Sequence, residues 1–186
     1  MTSKEKLVSK DIYLRPLSLK DVTCEYVDWM SDNEVIKYLE VRHTKQTLSV
    51  IESFIAEKLS RNDEFIFAIC DKKTDKHIGN IKLGPIHHYY KKADLSLFIG
   101  DKNYWGKNLA YQAIQLMIVF AFEKLELTKL LATFYLDNQS SMKAFKKAGF
   151  QKEGLSPDYL TLNGNPHDLV WMGISSRQYN SGIKIA

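Results

Sequence analysis

A chain of 186 residues, 45% hydrophobic and 26% charged, has the apolar content for one domain with a substantial core, and its composition excludes intrinsic disorder. The formal charge of +4 is scattered rather than gathered in a stripe, which suits a small anionic ligand and argues against nucleic acid as a partner. The charged start Met1-Thr2-Ser3-Lys4-Glu5-Lys6 and the lack of any apolar run of membrane-spanning length lead to the expectation of a cytoplasmic protein with no membrane partner.

In chain order, Asp11-Ile12-Tyr13-Leu14-Arg15 alternates and stops at Pro16, so it reads as a short first strand. Ser18, with Asp21 three residues on, forms a loose capping box for a helix expected to run through Val22, Tyr26 and Trp29. Asp32 or Asn33 restarts a helical piece around Val35, Ile36 and Leu39. Leu48, Ile51, Ile55 and Leu59 recur on one face of a third helix, from about Thr47 to Ser60. Strand patterns follow at 65–70 and 77–83, joined as a hairpin by the polar turn 71–76, and again from Ala93 to Gly100. The clearest helix runs from Gly106 to Leu125, with Leu109, Ala113, Leu116 and Phe120 along its apolar stripe. Residues 128–135 are β-rich. Residues 138–148 are helical and end at Gly149, and 150–154 and 169–174 close the chain as a strand pair around the turn Asn163-Gly164-Asn165-Pro166.

Cys24 and Cys70 lie far apart with no pairing motif, and each is expected to be a small buried hydrophobe. With no Pro/Gly/Ser-rich linker and no repeat, the pattern predicts a single domain over 1–186, of α+β class, with a mixed central sheet. Ala93 through Tyr135 forms a βαβ unit, whose two strands must be parallel and joined by a right-handed crossover.

The most informative stretch is Trp105-Gly106-Lys107-Asn108-Leu109-Ala110, between the strand run Leu95–Gly100 and the long helix. A glycine-bearing loop at a helix N-terminus presents unpaired N–H groups and the positive end of the helix dipole, both of which favour phosphate. It lies at the carboxyl end of its strand, where open α/β sheets take their ligands. The run Lys143-Ala144-Phe145-Lys146-Lys147 reads as a solvated helix face with one or two lysines available to phosphates. No His, Cys or carboxylate cluster has metal-ligand spacing.

Tyr104-Trp105-Gly106-Lys107-Asn108-Leu109-Ala110 resembles the acetyl-CoA loop of the GNAT acetyltransferase superfamily. Asn138-Gln139-Ser140-Ser141 with Phe145-Lys146-Lys147-Ala148-Gly149-Phe150 resembles that family's second conserved block. Asp11–Leu17 and Phe150–Gly154 are similar to the branch containing the ribosomal-protein N-terminal acetyltransferases, in which Trp commonly opens the loop. The resemblance implies a mostly antiparallel sheet around the βαβ core. It also implies transfer of an acetyl group from acetyl-CoA to a primary amine by direct attack. Three positions depart from the pattern: Asn108 stands for a glycine, Gln112 for a common Glu, and Phe145 for a Tyr that protonates the leaving thiolate in many relatives.

The resemblance assigns residues 105–110 to cofactor binding: Trp105, Gly106, Lys107, Asn108, Leu109 and Ala110, whose amides from about Gly106 onward would hold the pyrophosphate. The strand edge at Leu97, Phe98 and Ile99 offers backbone partners to the pantetheine amides, as an added strand would. A backbone N–H near Phe98 or Ile99 would stabilise the developing oxyanion. Asn138 is both a helix cap and a candidate for holding the pantetheine arm. Ser141 is the substitute acid near the thiol, with a plain first-turn serine as the alternative; Tyr135 and Tyr159 are weaker candidates. Asp94 is the candidate base, sharing a strand face with Ser96 and Phe98. Glu40 and His43 fall in the region that shapes the acceptor pocket in the branch this chain resembles; of the adjacent pair His87 and His88 at most one, His87, faces that pocket, and both read equally as surface hairpin residues.

The acceptor amine must be neutral to attack. A lysine amine, titrating near ~10.4, is roughly 0.04% neutral at pH 7, whereas an α-amine at ~7.7–8.0 is on the order of 10–20% neutral. The first expectation is therefore a protein or peptide N-terminal α-amine. A small amine (nucleotide-linked amino sugar, polyamine or antibiotic) is the alternative, and a non-catalytic acyl-CoA-binding sensor is the alternative of another class. The branch resemblance also raises a possible homodimer.

Overall fold

The computed structural model describes residues 6–162 and 164–182. Among them one eight-stranded sheet runs in the order β1-β2-β3-β4-β5-β6-β8-β7. Its strands are β1 (Leu7–Val8), β2 (Ile12–Pro16), β3 (Phe65–Asp71), β4 (His77–His87), β5 (Lys92–Ile99), β6 (Lys129–Tyr135), β7 (Gln151–Leu162) and β8 (Asn165–Ser175). Every neighbouring pair is antiparallel except β5 and β6. The α+β class and the parallel pair across the βαβ unit follow the sequence pattern.

Two layers cover the sheet. On one face α1 (Cys24–Ser31), α2 (Asn33–Ile36) and α3 (Leu48–Ser60) pack Tyr26, Trp29, Met30, Val35, Ile51 and Ile55 over Tyr13, Ile66, Ala68 and Cys70. On the other, α4 (Leu109–Val119) and α5 (Gln139–Lys147) bury Ala113, Ile114, Met117 and Phe145 against Leu14, Ile69, Leu83 and Leu95. The odd-numbered residues of β5 face α4 and the even-numbered ones face the α1–α3 layer, as strand alternation requires.

Local chemistry explains where the elements differ from expectation. The Ser18–Asp21 capping box is present, but it caps a single 3-10 turn, Leu19–Asp21. Val22 is extended, and α1 starts afresh with the Thr23 hydroxyl accepting from the Tyr26 amide at 3.3 Å. Cys24 is therefore a first-turn residue facing water, not the buried hydrophobe expected, whereas Cys70 is buried. Leu48 and Leu59 are also exposed, because α3 lies against the sheet only through its centre at Ile51 and Ile55. The long helix begins at Leu109 rather than Gly106, since Asn108 holds a left-handed conformation (φ 63°), and it ends in a π-turn, Phe120–Lys124. The closing strands extend well beyond the expected bounds. Asn165 and Pro166 belong to β8, opposite Leu162 and Thr161, and Asn163 lies outside the described residues. No helix among the described residues is long and apolar enough to cross a membrane.

Candidate active site

The sheet opens where β5 and β6 part. Their parallel pairing covers only Lys92–Asp94 against Lys129–Leu131, and beyond it the strands diverge. Gly100 donates to the Ile78 carbonyl at 2.9 Å, which fixes the phase of the β4–β5 ladder. By antiparallel alternation the amides of Leu97 and Ile99 then point into the gap, while that of Phe98 turns toward Asn80 on β4. This corrects the expectation for Phe98: its backbone is committed to β4, and the free edge belongs to Leu97 and Ile99. The Ile99 carbonyl accepts from the Trp105 indole at 2.8 Å, which pins the following loop to the strand end.

That loop fits a diphosphate. The Trp105 amide donates to Lys102, so Trp105 offers a ligand only its ring, 42% exposed. The amides of Gly106, Lys107, Asn108, Leu109 and Ala110 have no acceptor among the described residues. They sit at the N-terminus of α4, an eleven-residue helix whose dipole favours an anion there. Gly106 takes φ +72° and Asn108 φ +63°, a conformation Asn adopts more readily than other side-chain-bearing residues. The Asn108 carboxamide oxygen accepts from Lys147 of α5 at 3.0 Å, so the Asn that replaces glycine also anchors a cation beside the cradle. Gln112 is explained by its partner. It accepts from the Asp11 amide at 3.0 Å and donates to the Asp11 carboxylate at 2.8 Å, a donation that Glu, ionised, has no proton for.

Gly106→Val is expected to weaken acetyl-CoA binding without unfolding the chain. An added Cβ meets nothing within 4 Å, so the whole effect is backbone strain at positive φ. At about 1–2 kcal/mol that strain corresponds to roughly a 5–30-fold rise in Kd, to be read by calorimetry with CoA while the circular dichroism stays unchanged.

Beyond β6, the Asn138 side chain accepts from the Ser141 amide at 3.4 Å, a helix cap on α5. The Ser141 hydroxyl has no hydrogen-bond partner among the described residues, and the residue is half-buried in the first turn of α5. Phe145 is 1% exposed, wedged between Phe134 and Phe150 with ring centroids 4.9 Å from each. Asp94, at the point of divergence, carries no hydrogen bond among the described residues. The residue is exposed, yet desolvation around its carboxyl group is the largest influence and raises its pKa, with Lys82 and Lys92 pulling the other way.

A second cluster rims the same side of the sheet. Tyr135, at the end of β6, donates its hydroxyl to Glu40 at 3.0 Å and accepts from Arg42. Desolvation, then the Glu40 carboxylate, pushes the phenol pKa up, so the hydroxyl stays protonated. Tyr38 donates to the Asp137 carbonyl at 3.1 Å, His43 lies 3.9 Å from Glu40, and His167 of β8 lies 3.9 Å from Asp137. Glu40 and His43 thus lie together on this rim. Arg42 had no local signal and Tyr135 stood only as a weaker acid candidate, because the two join across 93 residues. His87 makes no contact with this cluster among the described residues. It closes β4 opposite Lys92 and stacks on Tyr90 at 4.4 Å, on the face that carries Asp94 and two residues from its level, but seven residues from that of Ile99, roughly 23 Å away. Tyr159 stands apart as well, exposed on β7 against Trp171.

Comparison with known proteins agrees with this geometry. Residues 11–151 match the family model described as an acetyltransferase (GNAT) domain. The chain is 31% identical over 183 residues to a Bacillus licheniformis protein named as an uncharacterized N-acetyltransferase, p20, covering 94% of this chain and 98% of that one. It is 25% identical over 169 residues to the spermidine N(1)-acetyltransferase of Escherichia coli (strain K12), covering 90% and 88%. The crystal structure of spermidine N-acetyltransferase from Vibrio cholerae in complex with CoA and spermine superposes with a TM-score of 0.82 at 21% identity, over 92% of this chain and 99% of that one. A splayed parallel pair, an open amide cradle at the next helix and a family match across three quarters of the sequence converge: this chain belongs to the GNAT acetyltransferases, enzymes that move an acetyl group from acetyl-CoA to an amine.

Proposed function

We propose that the chain acts as a single catalytic domain that acetylates the α-amino group of a protein or peptide N-terminus. The observation that carries this reading is the openness of the acceptor rim: the side chains of Glu40, Asp137 and His43 are 79%, 69% and 54% exposed. A rim that stands in water admits the first residues of an extended chain, whereas a small amine gains most from enclosure. The chemistry favours the same acceptor. Phe145 cannot supply a proton, so the reading relies on a carboxylate and on an amine that is already partly neutral.

Acetyl-CoA, when bound, supplies an activated carbonyl and a thiolate able to leave. The amides of residues 106–110 hold its diphosphate, with Lys107 and Lys147 nearby. Leu97 and Ile99 would align its amides along the free edge of β5, and the Leu97 N–H, the free amide nearer Asp94, would meet the charge that develops on the carbonyl oxygen. Asp94 takes the proton released by the amine, and the Ser141 hydroxyl stands toward the thiolate. Glu40, whose carboxylate accepts from Tyr135, would accept hydrogen bonds from the main chain of the acceptor.

A second reading, a polyamine acceptor, is favoured by the exposed carboxylates of Glu40 and Asp137 and by the names of the relatives above. Thiol release at pH 7 with peptides beginning in Ser or Ala, against spermidine, decides between them. The first reading expects kcat/KM at least about tenfold higher for the peptides, following the ratio of neutral amine. A preference for spermidine overturns it, and CoA binding with no thiol release for any amine would make the chain a sensor.

A further inference from the structure

One buried charge is not accounted for by the steps above. Glu64, just ahead of β3, has a side chain only 4% exposed, and its Oε2 has no hydrogen-bond partner. Three cations surround it without closing to hydrogen-bond distance: Lys58 at 3.7 Å, Arg61 at 3.7 Å and Lys82 at 3.6 Å. Two of these have other carboxylates. Lys58 also reaches Glu57 at 3.3 Å, and Arg61 pairs with Asp63 at 2.8 Å. Lys82, of β4, has no second ion pair of this kind among the described residues.

The register shows what else Lys82 faces. Lys82 is paired with Ile66 on one side and with Ser96 on the other. Glu64 lies two residues before Ile66 and Asp94 two residues before Ser96, so the period of two puts both carboxylates on the face that carries Lys82. Each is a diagonal cross-strand neighbour, about 7–8 Å away between backbones and within reach of a lysine side chain. The other titratable groups around Asp94 are Lys92 on its own strand, His87 opposite Lys92 on β4, and, across on β6, Lys129, which is paired with Glu153 of β7.

We propose that Lys82 is a positioning residue shared between two carboxylates, and that the buried Glu64 holds it back from Asp94 so that Asp94 remains free to take the proton of the acceptor amine. This rests on the assignment of Asp94 as base. In the step, the amine nitrogen bonds to the acetyl carbon, its proton passes to the Asp94 carboxylate, and the carbon–sulfur bond breaks with its electron pair on sulfur. A lysine fully paired with Asp94 would lower the basicity of that carboxylate. A site with no lysine would leave Asp94 protonated over more of the working range.

The test is a 13C NMR titration of the Asp94 carboxyl carbon in the full chain, beside the pH dependence of kcat/KM, for the parent, Lys82→Met, Lys82→Arg and Glu64→Gln. Lys82→Met is expected to move both the carboxyl midpoint and the acid limb of the rate upward by about one pH unit. Lys82→Arg should return both close to the parent, and Glu64→Gln should move both downward. Should Glu64→Gln fail to fold, the two Lys82 variants suffice. An Asp94 midpoint that is the same in the parent and Lys82→Met overturns the proposal. A midpoint that moves while the acid limb stays fixed overturns the role in the reaction, and in that case Asp94→Asn will retain the limb, which shows that the assignment of the base has failed rather than the coupling of Lys82 to Asp94.

Discussion

Asp94→Asn is expected to lower kcat/KM for a peptide acceptor by about 10²–10⁴-fold, the usual contribution of a positioned proton acceptor, and to abolish the acid limb of the pH profile. Asn is nearly isosteric and Asp94 has no hydrogen bond to lose, so the fold should not be the cause. The sign of the accompanying stability change makes the prediction distinctive. Desolvation raises the carboxyl pKa in the folded chain, against the opposing pull of Lys82 and Lys92. A carboxyl group raised in this way contributes stability below its unfolded pKa, and the contribution is lost as pH rises through the folded value. At neutral pH the ionised Asp94 therefore works against folding. Asp94→Asn should leave the melting temperature equal to the parent or slightly above it while removing activity. A variant that loses activity together with several degrees of melting temperature would point to a structural role instead.

Phe145→Ala is expected to cost about 3–5 kcal/mol, the range for removing a fully buried phenylalanine. For a chain of this length each kcal/mol moves the midpoint by about 2–4 °C, so the melting temperature should fall by roughly 6–20 °C. The position joins three elements: the ring of Phe145 on α5 contacts Phe134 of β6 and Phe150 ahead of β7. The same helix carries Ser141, the Asn138 cap and Lys147, so CoA affinity should fall with stability as α5 loosens. Phe145→Tyr separates packing from chemistry. It keeps the ring but places a hydroxyl in a site 1% exposed, at a cost of about 1–3 kcal/mol if unsatisfied, and it is not expected to raise kcat. A gain in kcat would show that the ring edge reaches the thiol.

Those parts of the protein whose physics is local were legible before any contact was known. The loop at 105–110 was legible because a glycine, a left-handed asparagine and a helix start are properties of neighbouring residues. The parallel β5–β6 pair followed from a helix lying between two strands, and the facing of Asp94, Ser96 and Phe98 followed from the period of a strand. Only the tertiary structure decided how far β5 and β6 stay paired before they part. That in turn decided which amides are free, Leu97 and Ile99 rather than Phe98, because hydrogen-bond phase is set by the register with β4. The same holds for the exposure of Cys24, which depends on which side of α1 meets the sheet, and for the placing of His87 at the far end of its strand. The rim of Glu40, Arg42 and Tyr135 and the lysine between Glu64 and Asp94 join residues far apart in the chain. Such contacts leave no periodic trace in a sequence, since they arise only once the sheet has brought distant strands side by side.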